Sequence, residues 1–381
     1  MSSGASSGAG VGPGQVAAIL IVGIVGVLIP GLQPQLLGAL AAEGRLSVAA
    51  LGGLASAELL AMGIAAGAAG FVLPIGRLRA VAAGALAATA IFDFATPHLG
   101  AAAVFAARIG AGLGEGVLIW IAIGFIARTA RPERWSGIYL ATQTLSQFAL
   151  ASLLGLYAAG SGAGFVALGA VTLAAIVAVR WMPVAYPPLA DDGADGGQPP
   201  ARGLVGLAGV VLYLAYVVAV WVYVEPLGTQ RGLAPAAVHL IAPLSLAMQV
   251  LGAGAATLLA ERLPVRATIA VVAAVNLGLL AIMAAPPSAT WFVVATAAFG
   301  FLWLFAMPFQ VPALIAADPS RRAAVLIGGA QLVGSSLGPV LGGLFVSEAD
   351  VAPVLAFGAA CLVAGVAALV AAGTMRHSAP A

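Results

Sequence analysis

Charge is what this sequence has least of. Only 7% of its 381 residues are Asp, Glu, Lys or Arg, against 62% hydrophobic, and the mean hydropathy is +1.11. Soluble domains carry roughly a quarter charged residues, so a globule bathed in water is excluded. Lysine is absent; all fifteen basic residues are arginine, a bias that beside so much Ala and Gly fits a GC-rich genome. The single cysteine, Cys361, excludes an internal disulfide. With His98, His239 and His377 scattered along the chain, it offers no zinc site. There is no Gly-rich phosphate loop followed by Lys, hence no nucleotide-driven engine. No polar stretch is long enough for a receptor or nucleic-acid module. The expectation is a non-enzyme without a cofactor and without a nucleic-acid partner. Met1 to Gly12 lack the basic residues of a signal peptide, so residues 1–13 are expected to be a disordered tail before an uncleaved helix.

What remains is apolar sequence in helix-length pieces. A spanning helix needs about twenty apolar residues, and every backbone polar group in lipid must be satisfied internally. The roughly ten-residue alternation of a membrane β-barrel is missing. The sequence predicts an all-α polytopic membrane protein with twelve spans: 14–41, 48–73, 80–96, 99–127, 136–159 and 163–182, then 203–227, 235–260, 267–285, 289–316, 323–346 and 353–374. The longest polar stretch, Pro183 to Arg202 with Asp191, Asp192 and Asp195, falls between the sixth and seventh. It divides an N-terminal bundle, 14–182, from a C-terminal bundle, 203–374, with residues 375–381 as a tail.

Arginines orient the chain. With the N-terminus in the cytoplasm, inside loops and helix ends hold Arg77, Arg79, Arg128, Arg131, Arg134, Arg180, Arg202, Arg262, Arg266, Arg321, Arg322 and Arg376; outside loops hold only Arg45 and Arg231. Both termini are expected in the cytoplasm of a bacterium, with the protein a monomer in its plasma (inner) membrane. The halves also repeat. An offset of 188 residues lays Arg134 on Arg322, Gln143 on Gln331 and Gly155 on Gly343, and the turns Arg131–Pro132–Glu133–Arg134 and Pro319–Ser320–Arg321–Arg322 then overlap. The basic turns after helices two and eight, Pro74 to Arg79 and Arg262 to Arg266, overlap as well. Such repeats build many transporters.

Six plus six helices, a polar central linker, basic turns after helices two and eight and both ends inside resemble the major facilitator superfamily. The resemblance covers nearly the whole chain. In helix four, Arg108-Ile-Gly-Ala-Gly112-Leu-Gly114 is similar to that superfamily's Arg-x-x-x-Gly-x-Gly signature, which the resemblance links to proton coupling. The turn Gly70 to Arg79 is similar to the family's loop after helix two but lacks its Asp. Gly338-Pro339-Val340-Leu341-Gly342-Gly343 resembles the Gly-Pro-x-x-Gly-Gly element of drug antiporters, although there it belongs to helix five and here it stands in helix eleven. Helix one lacks the acid of many proton symporters and carries Gln33 and Gln35. The resemblance implies a transporter working by alternating access.

An ion at bilayer depth needs a partner or a task. The candidates are Glu58, Asp93, Arg108, Glu115 and Glu225. Glu58 and Arg108 both lie about ten residues from the outer ends of their helices, a similar depth at roughly 1.5 Å per residue. A pair is expected, either as a static salt bridge or as part of coupling. Glu115, seven residues after Arg108, shares its helical face among Gly112, Gly114 and Gly116. A carboxyl there keeps its proton unless water or a cation reaches it, so it can load and release one as access alternates; tight packing of that face is the other reading. Glu225 adjoins Pro226, which tends to kink or end a helix, and is expected to be a gate or proton site or an interfacial carboxylate. Asp93 lies closest to the interface and is expected to be structural.

Uncharged polar groups within apolar stretches, Gln33, Gln35, Gln143, Gln147, Gln249, Gln310 and Gln331, are candidates for substrate contact or for interhelical bonds of about 1 kcal/mol. Trp120, Tyr223, Trp303, Phe305 and Phe309 add aromatic surface of the kind that lines small-molecule pockets. The function expected is proton-coupled transport of a small neutral or cationic amphipathic solute, with export favoured. The rivals are uptake of a carboxylate bound by Arg108 and a passive facilitator or lipid-moving protein.

The arginine bias makes a topological prediction. In a Cys361→Ala background, an impermeant thiol reagent applied from outside should label Asp350→Cys and miss Asp195→Cys. Strong external labelling at position 195 would invert the orientation.

Overall fold

A computed structural model describes residues 12–129, 132–157, 160–186, 199–259, 262–286 and 288–373. Asp191, Asp192, Asp195, Arg131 and Arg376 lie outside them. Among the described residues every regular element is helical, and ten helices are long and apolar enough to cross a membrane. We label the spans as follows. α1 comprises Pro13–Val25 and Leu28–Ala42. It is followed by α2 (Val48–Val72), α3 (Leu78–Ala95), α4 (Ala101–Ile126) and α5 (Pro132–Leu156). α6 (Ser161–Ala175) runs on as a 3-10 turn, Ile176–Trp181. The second half holds α7 (Ala201–Gln230), α8 (Pro235–Leu259), α9 (Val265–Ala284), α10 (Ala289–Ala317), α11 (Ile327–Gly343) after a short turn Arg322–Val325, and α12 (Pro353–Ala372). α5, rich in Thr, Ser and Gln, and α11, only 17 residues long, complete the twelve.

The two halves use the same devices. α4 crosses α2 where a Cβ on Gly112 would stand 2.5 Å from the Glu58 carbonyl oxygen, and α10 crosses α8 where a Cβ on Gly300 would stand 3.0 Å from the Ser245 Cα. These glycines are 188 residues apart, the offset of the sequence repeat. The basic turns are likewise equivalent. Arg79 Nε donates to the Met182 carbonyl at 2.7 Å, and Arg266 Nη2 donates to the Gly373 carbonyl at 2.5 Å. Each cation thus serves carbonyls left without partners at the end of the last helix of its own half. At the start of α11, Asp318 ties the chain back to α10, its Oδ1 accepting from the Ser320 hydroxyl at 2.6 Å and its Oδ2 from the Ala323 amide at 2.9 Å.

The halves meet through α1 with α7, α2 with α11 and α5 with α8. Prolines prepare this seam. Pro34 has no N–H, which leaves the Pro30 carbonyl without its helical donor; the Trp221 indole of α7 supplies one at 2.8 Å. Pro243 similarly frees the His239 carbonyl of α8, and α5 passes close to it because Gly155 has no side chain there. The Tyr223 hydroxyl accepts from the Gly52 amide at 2.9 Å, Ser56 Oγ accepts from the Val340 amide at 2.9 Å, and Glu348 Oε1 accepts from the Val48 amide at 2.7 Å. These contacts all lie in the outward-expected portions of the helices, away from the arginine-bearing turns. Pro13–Val25, at the arginine-rich end, packs on α4, α5 and α6 of its own half. The two pieces of α1 part at Gly26, whose Cβ would stand 2.7 Å from the Glu115 carbonyl oxygen. Pro226 does not end α7, which continues to Gln230.

The glycine crossings can be tested by overpacking, which costs about 1–3 kcal/mol in a filled core. Gly300→Ala should lower the melting temperature of the purified protein. Gly254→Ala on α8, with open space around its Cβ position, should leave it unchanged or slightly raised. Equal melting of Gly300→Ala and wild type would refute the close α8–α10 approach.

Candidate functional site

Antiparallel geometry assembles the intramembrane ions. Asp93 stands seven residues before the turn at Gly100 and Arg108 eight after it, so α3 and α4 carry them at one depth. Glu58 comes from α2, which approaches α4 closely at Gly112, one turn from Arg108. Arg108 Nε donates to Glu58 Oε1 at 2.8 Å, and its Nη2 donates to the same oxygen. Its Nη1 donates to Asp93 Oδ1 at 2.6 Å, and Nη2 lies 3.5 Å from Glu115 Oε1. The guanidinium sits 5.0 Å from the centre of the Phe165 ring of α6, a cation–π contact. Arg108, Glu58 and Asp93 are wholly buried, and Glu115 is 2% exposed.

The expected pairing of Glu58 with Arg108 is formed. The expectation for Asp93 is corrected. It lies inside the same cluster rather than at the interface, because the chain runs on past it through Thr96–His98 before turning. The second oxygens of Glu58, Asp93 and Glu115 are buried and have no partner. One guanidinium faces three carboxyls, so the cluster is neutral only when two protons reside on it. At bilayer depth an uncompensated charge is costly by several kcal/mol. Arg108 is held by acids of its own half and has no exposed surface.

The corresponding place in the second half is neutral. At the repeat offset Arg108 becomes Thr296, Glu58 becomes Leu246, Glu115 becomes Trp303 and Asp93 becomes Ala281. There the Ser245 hydroxyl donates to the Thr296 carbonyl at 3.0 Å.

Glu225 lies apart from the cluster. It lines a cavity of about 360 Å³ between the halves, with Gln35, Leu36, Leu154, Thr229 and His239 among its walls. Gln35 donates from Nε2 to the Ala151 carbonyl at 3.1 Å. The other expected substrate residues are dispersed. Gln147 of α5 donates to the Val27 carbonyl at the break in α1, at 2.5 Å. Gln331 donates to Gln310 Oε1 at 3.2 Å, away from Gln143. Gln33 is buried with neither amide atom paired, and Gln249 Nε2 is also unpaired. Trp303 packs edge-on to Trp221 at 5.9 Å, Phe305 and Phe309 are neighbours at 5.5 Å, and Tyr223 belongs to the seam. Trp120 Nε1 stands 3.4 Å from the Cβ position of Gly70. Sequence reasoning missed Trp221, Ser56, His239 and Glu348. The spacing Pro30–Pro34 was the available signal for Trp221, since it marks a carbonyl in need of a donor from another helix.

The cluster makes an energetic prediction. Removing one partner of a buried ion pair costs roughly 3–5 kcal/mol, because the other charge is left alone. Glu58→Gln with Arg108→Gln should therefore melt higher than Arg108→Gln alone. Losses that simply add would show that the two groups act independently.

No protein-family model and no curated protein matches the sequence. The fold, however, has solved counterparts. A mutant of the nucleoside transporter NupG superposes with a TM-score of 0.70 at 13% identity, covering 94% of this chain and 99% of that one. A bacterial homolog of the human lysosomal transporter Spinster superposes in its inward-facing occupied conformation with a TM-score of 0.60 at 18% identity, covering 94% of both chains. Its inward-facing unoccupied conformation gives 0.60 at 17%, covering 96% of both. With twelve helices in two equivalent sets of six, the chain has the major facilitator fold.

Proposed function

We propose that this chain is a proton-coupled secondary transporter that moves a small neutral or cationic amphipathic solute by alternating access, with exchange for protons driving export. The observation that carries the reading is the buried cluster of Arg108 with Glu58, Asp93 and Glu115, joined through α2 to the seam between the halves. Its fold-likeness to a nucleoside transporter and to a homolog of a lysosomal transporter supports transport as the general activity.

α2 is the coupling element. Gly52 and Ser56 bond it to α7 and α11, and two residues further Glu58 bonds it to Arg108. Neutral hydrogen bonds of this kind contribute about 1 kcal/mol each, within the 1–3 kcal/mol typical of coupling between sites. Gain or loss of a proton in the cluster changes the grip of Arg108 on Glu58, and hence the position of α2, by enough to bias the seam. With the arginine-rich end in the cytoplasm, a seam at the other end is the inward-facing arrangement. Glu115 is the exchanging group: it is the acid most distant from the guanidinium, and Gly26 and Gly112 bring backbone, not bulky side chains, against its neighbourhood.

Purified protein in proteoliposomes tests this. Glu115→Gln, which fixes the neutral form, should abolish accumulation driven by a pH gradient. Downhill counterflow should survive, since it needs no net proton movement. Gradient-driven accumulation at the wild-type level in Glu115→Gln would remove the cluster from the coupling mechanism.

A further inference from the structure

The cavity beside Glu225 has an unbalanced inventory of hydrogen-bonding groups. Apart from the His239 imidazole in its wall, the side-chain donors are engaged. Gln35 Nε2 serves the Ala151 carbonyl, the Thr229 hydroxyl donates to the Glu225 carbonyl at 3.1 Å, and Gln230 Nε2 donates to the Glu348 carbonyl at 3.1 Å. The Gln35 bond also fixes which end of that amide is free, and its Oε1 is buried without a donor. Glu225 Oε1 is in the same condition, at 6% exposure for the residue. None of the described residues lining the cavity is an arginine. The wall carries the Glu225 carboxyl, the Gln35 amide and the half-buried His239 ring, with one unpaired oxygen of each of the first two covered in this arrangement, and apolar sides from Leu36, Leu154, Pro226 and Leu233. A cavity of about 360 Å³ falls at the small end of ligand pockets, which run roughly 300–1,000 Å³.

Two buried acceptors without donors, at the wall of a pocket, reward a ligand that brings N–H donors, and a carboxyl rewards one that also brings positive charge. We propose that this cavity binds a protonated primary or secondary alkylamine, its ammonium group donating to Glu225 and Gln35 and its hydrocarbon lying against Leu36 and Leu154. A quaternary ammonium carries the charge but no N–H, and an alcohol carries one donor but no charge, so both fit less well. The inference deepens the transporter reading and rests on it for the statement that the bound amine is cargo.

Isothermal titration of the full-length protein in a nonionic detergent at pH 7 tests the site with three probes of equal chain length: hexylamine, hexyltrimethylammonium and 1-hexanol. Hexylamine should bind at least about tenfold more tightly than either of the others, as expected when a charge-assisted hydrogen bond is lost. Glu225→Gln should weaken hexylamine by about tenfold or more and Gln35→Leu by a smaller factor. Leu154→Trp, which fills the cavity without touching a polar group, should remove binding and serves if the polar variants do not fold. Equal affinity for hexylamine and hexyltrimethylammonium, or hexylamine binding unaffected by both Glu225→Gln and Leu154→Trp, would overturn the assignment. Proteoliposome counterflow separates this proposal from its premise. Counterflow of another solute by protein that does not bind hexylamine defeats the amine site and leaves the transporter reading intact. Hexylamine binding that responds to the variants, without counterflow of any solute, supports the site and defeats the transporter reading.

Discussion

A carbonyl in hydrocarbon must find a donor, and prolines inside helices withdraw donors. This chain has such prolines at Pro34, Pro226, Pro243, Pro308, Pro312 and Pro339. Four of the six lie in helices that face the opposite half, and one carbonyl they strand is met by a donor from across the boundary. The Pro30 carbonyl takes the Trp221 indole, and the His239 carbonyl lies against Gly155. A spanning helix with a complete internal ladder has nothing to offer a neighbour except van der Waals contact. A helix with one broken rung carries a directional, replaceable bond. The seam between the halves holds the Trp221 bond together with the contacts of the Gly52, Val340 and Val48 amides.

The charged cluster obeys the opposite rule. Arg108 and its acids lie within one half, surrounded by α2, α3, α4 and α6, and share no atom with the other half. The repeat gives a control inside the same molecule. Where the first half has Arg108, Glu58 and Glu115, the second has Thr296, Leu246 and Trp303, yet the glycine crossing of the two helices is the same. Ions are therefore not what lets these helices pack. The second half closes its crossing with a single neutral bond from Ser245. Retaining one cation and three carboxyls in hydrocarbon carries a cost the twin avoids, which supports the functional reading proposed for the cluster.

Much of this was legible in the sequence. Twelve spans were placed to within a few residues, and the repeat offset read from Gln143 and Gln331 also relates Gly112 to Gly300. Depth counting joined Glu58 to Arg108, because both helix ends were marked by turns. It failed for Asp93, whose helix carries on through Thr96–His98 beyond its apolar run. The substrate residues were less accessible. Helices apolar on every side carry no periodic sign of which face is buried, so a glutamine within one looks the same whether it lines a cavity or bonds a neighbour. Of the glutamines singled out, only Gln35 shares the cavity with Glu225, and nothing in its local sequence distinguishes it from Gln33, two residues away.

The separation of the two polar sites, one inside a half and one between the halves, bears on how they communicate. On the proposed reading, a proton site that shared the solute cavity could couple by competition alone, whereas a cluster sealed inside one half must act through an element that both sites touch. α2 meets this condition on the cluster side, since Glu58 follows Ser56 by two residues and the two side chains leave the helix on different faces. On the cavity side, Val48 at the start of α2 is part of the wall, and its amide is held by Glu348 from the other half. The helix is 25 residues long and apolar, with no proline inside it, so one unbroken element links Glu58 to Gly52 and Val48, and in the proposed mechanism it is the path by which the buried arginine is felt at the seam.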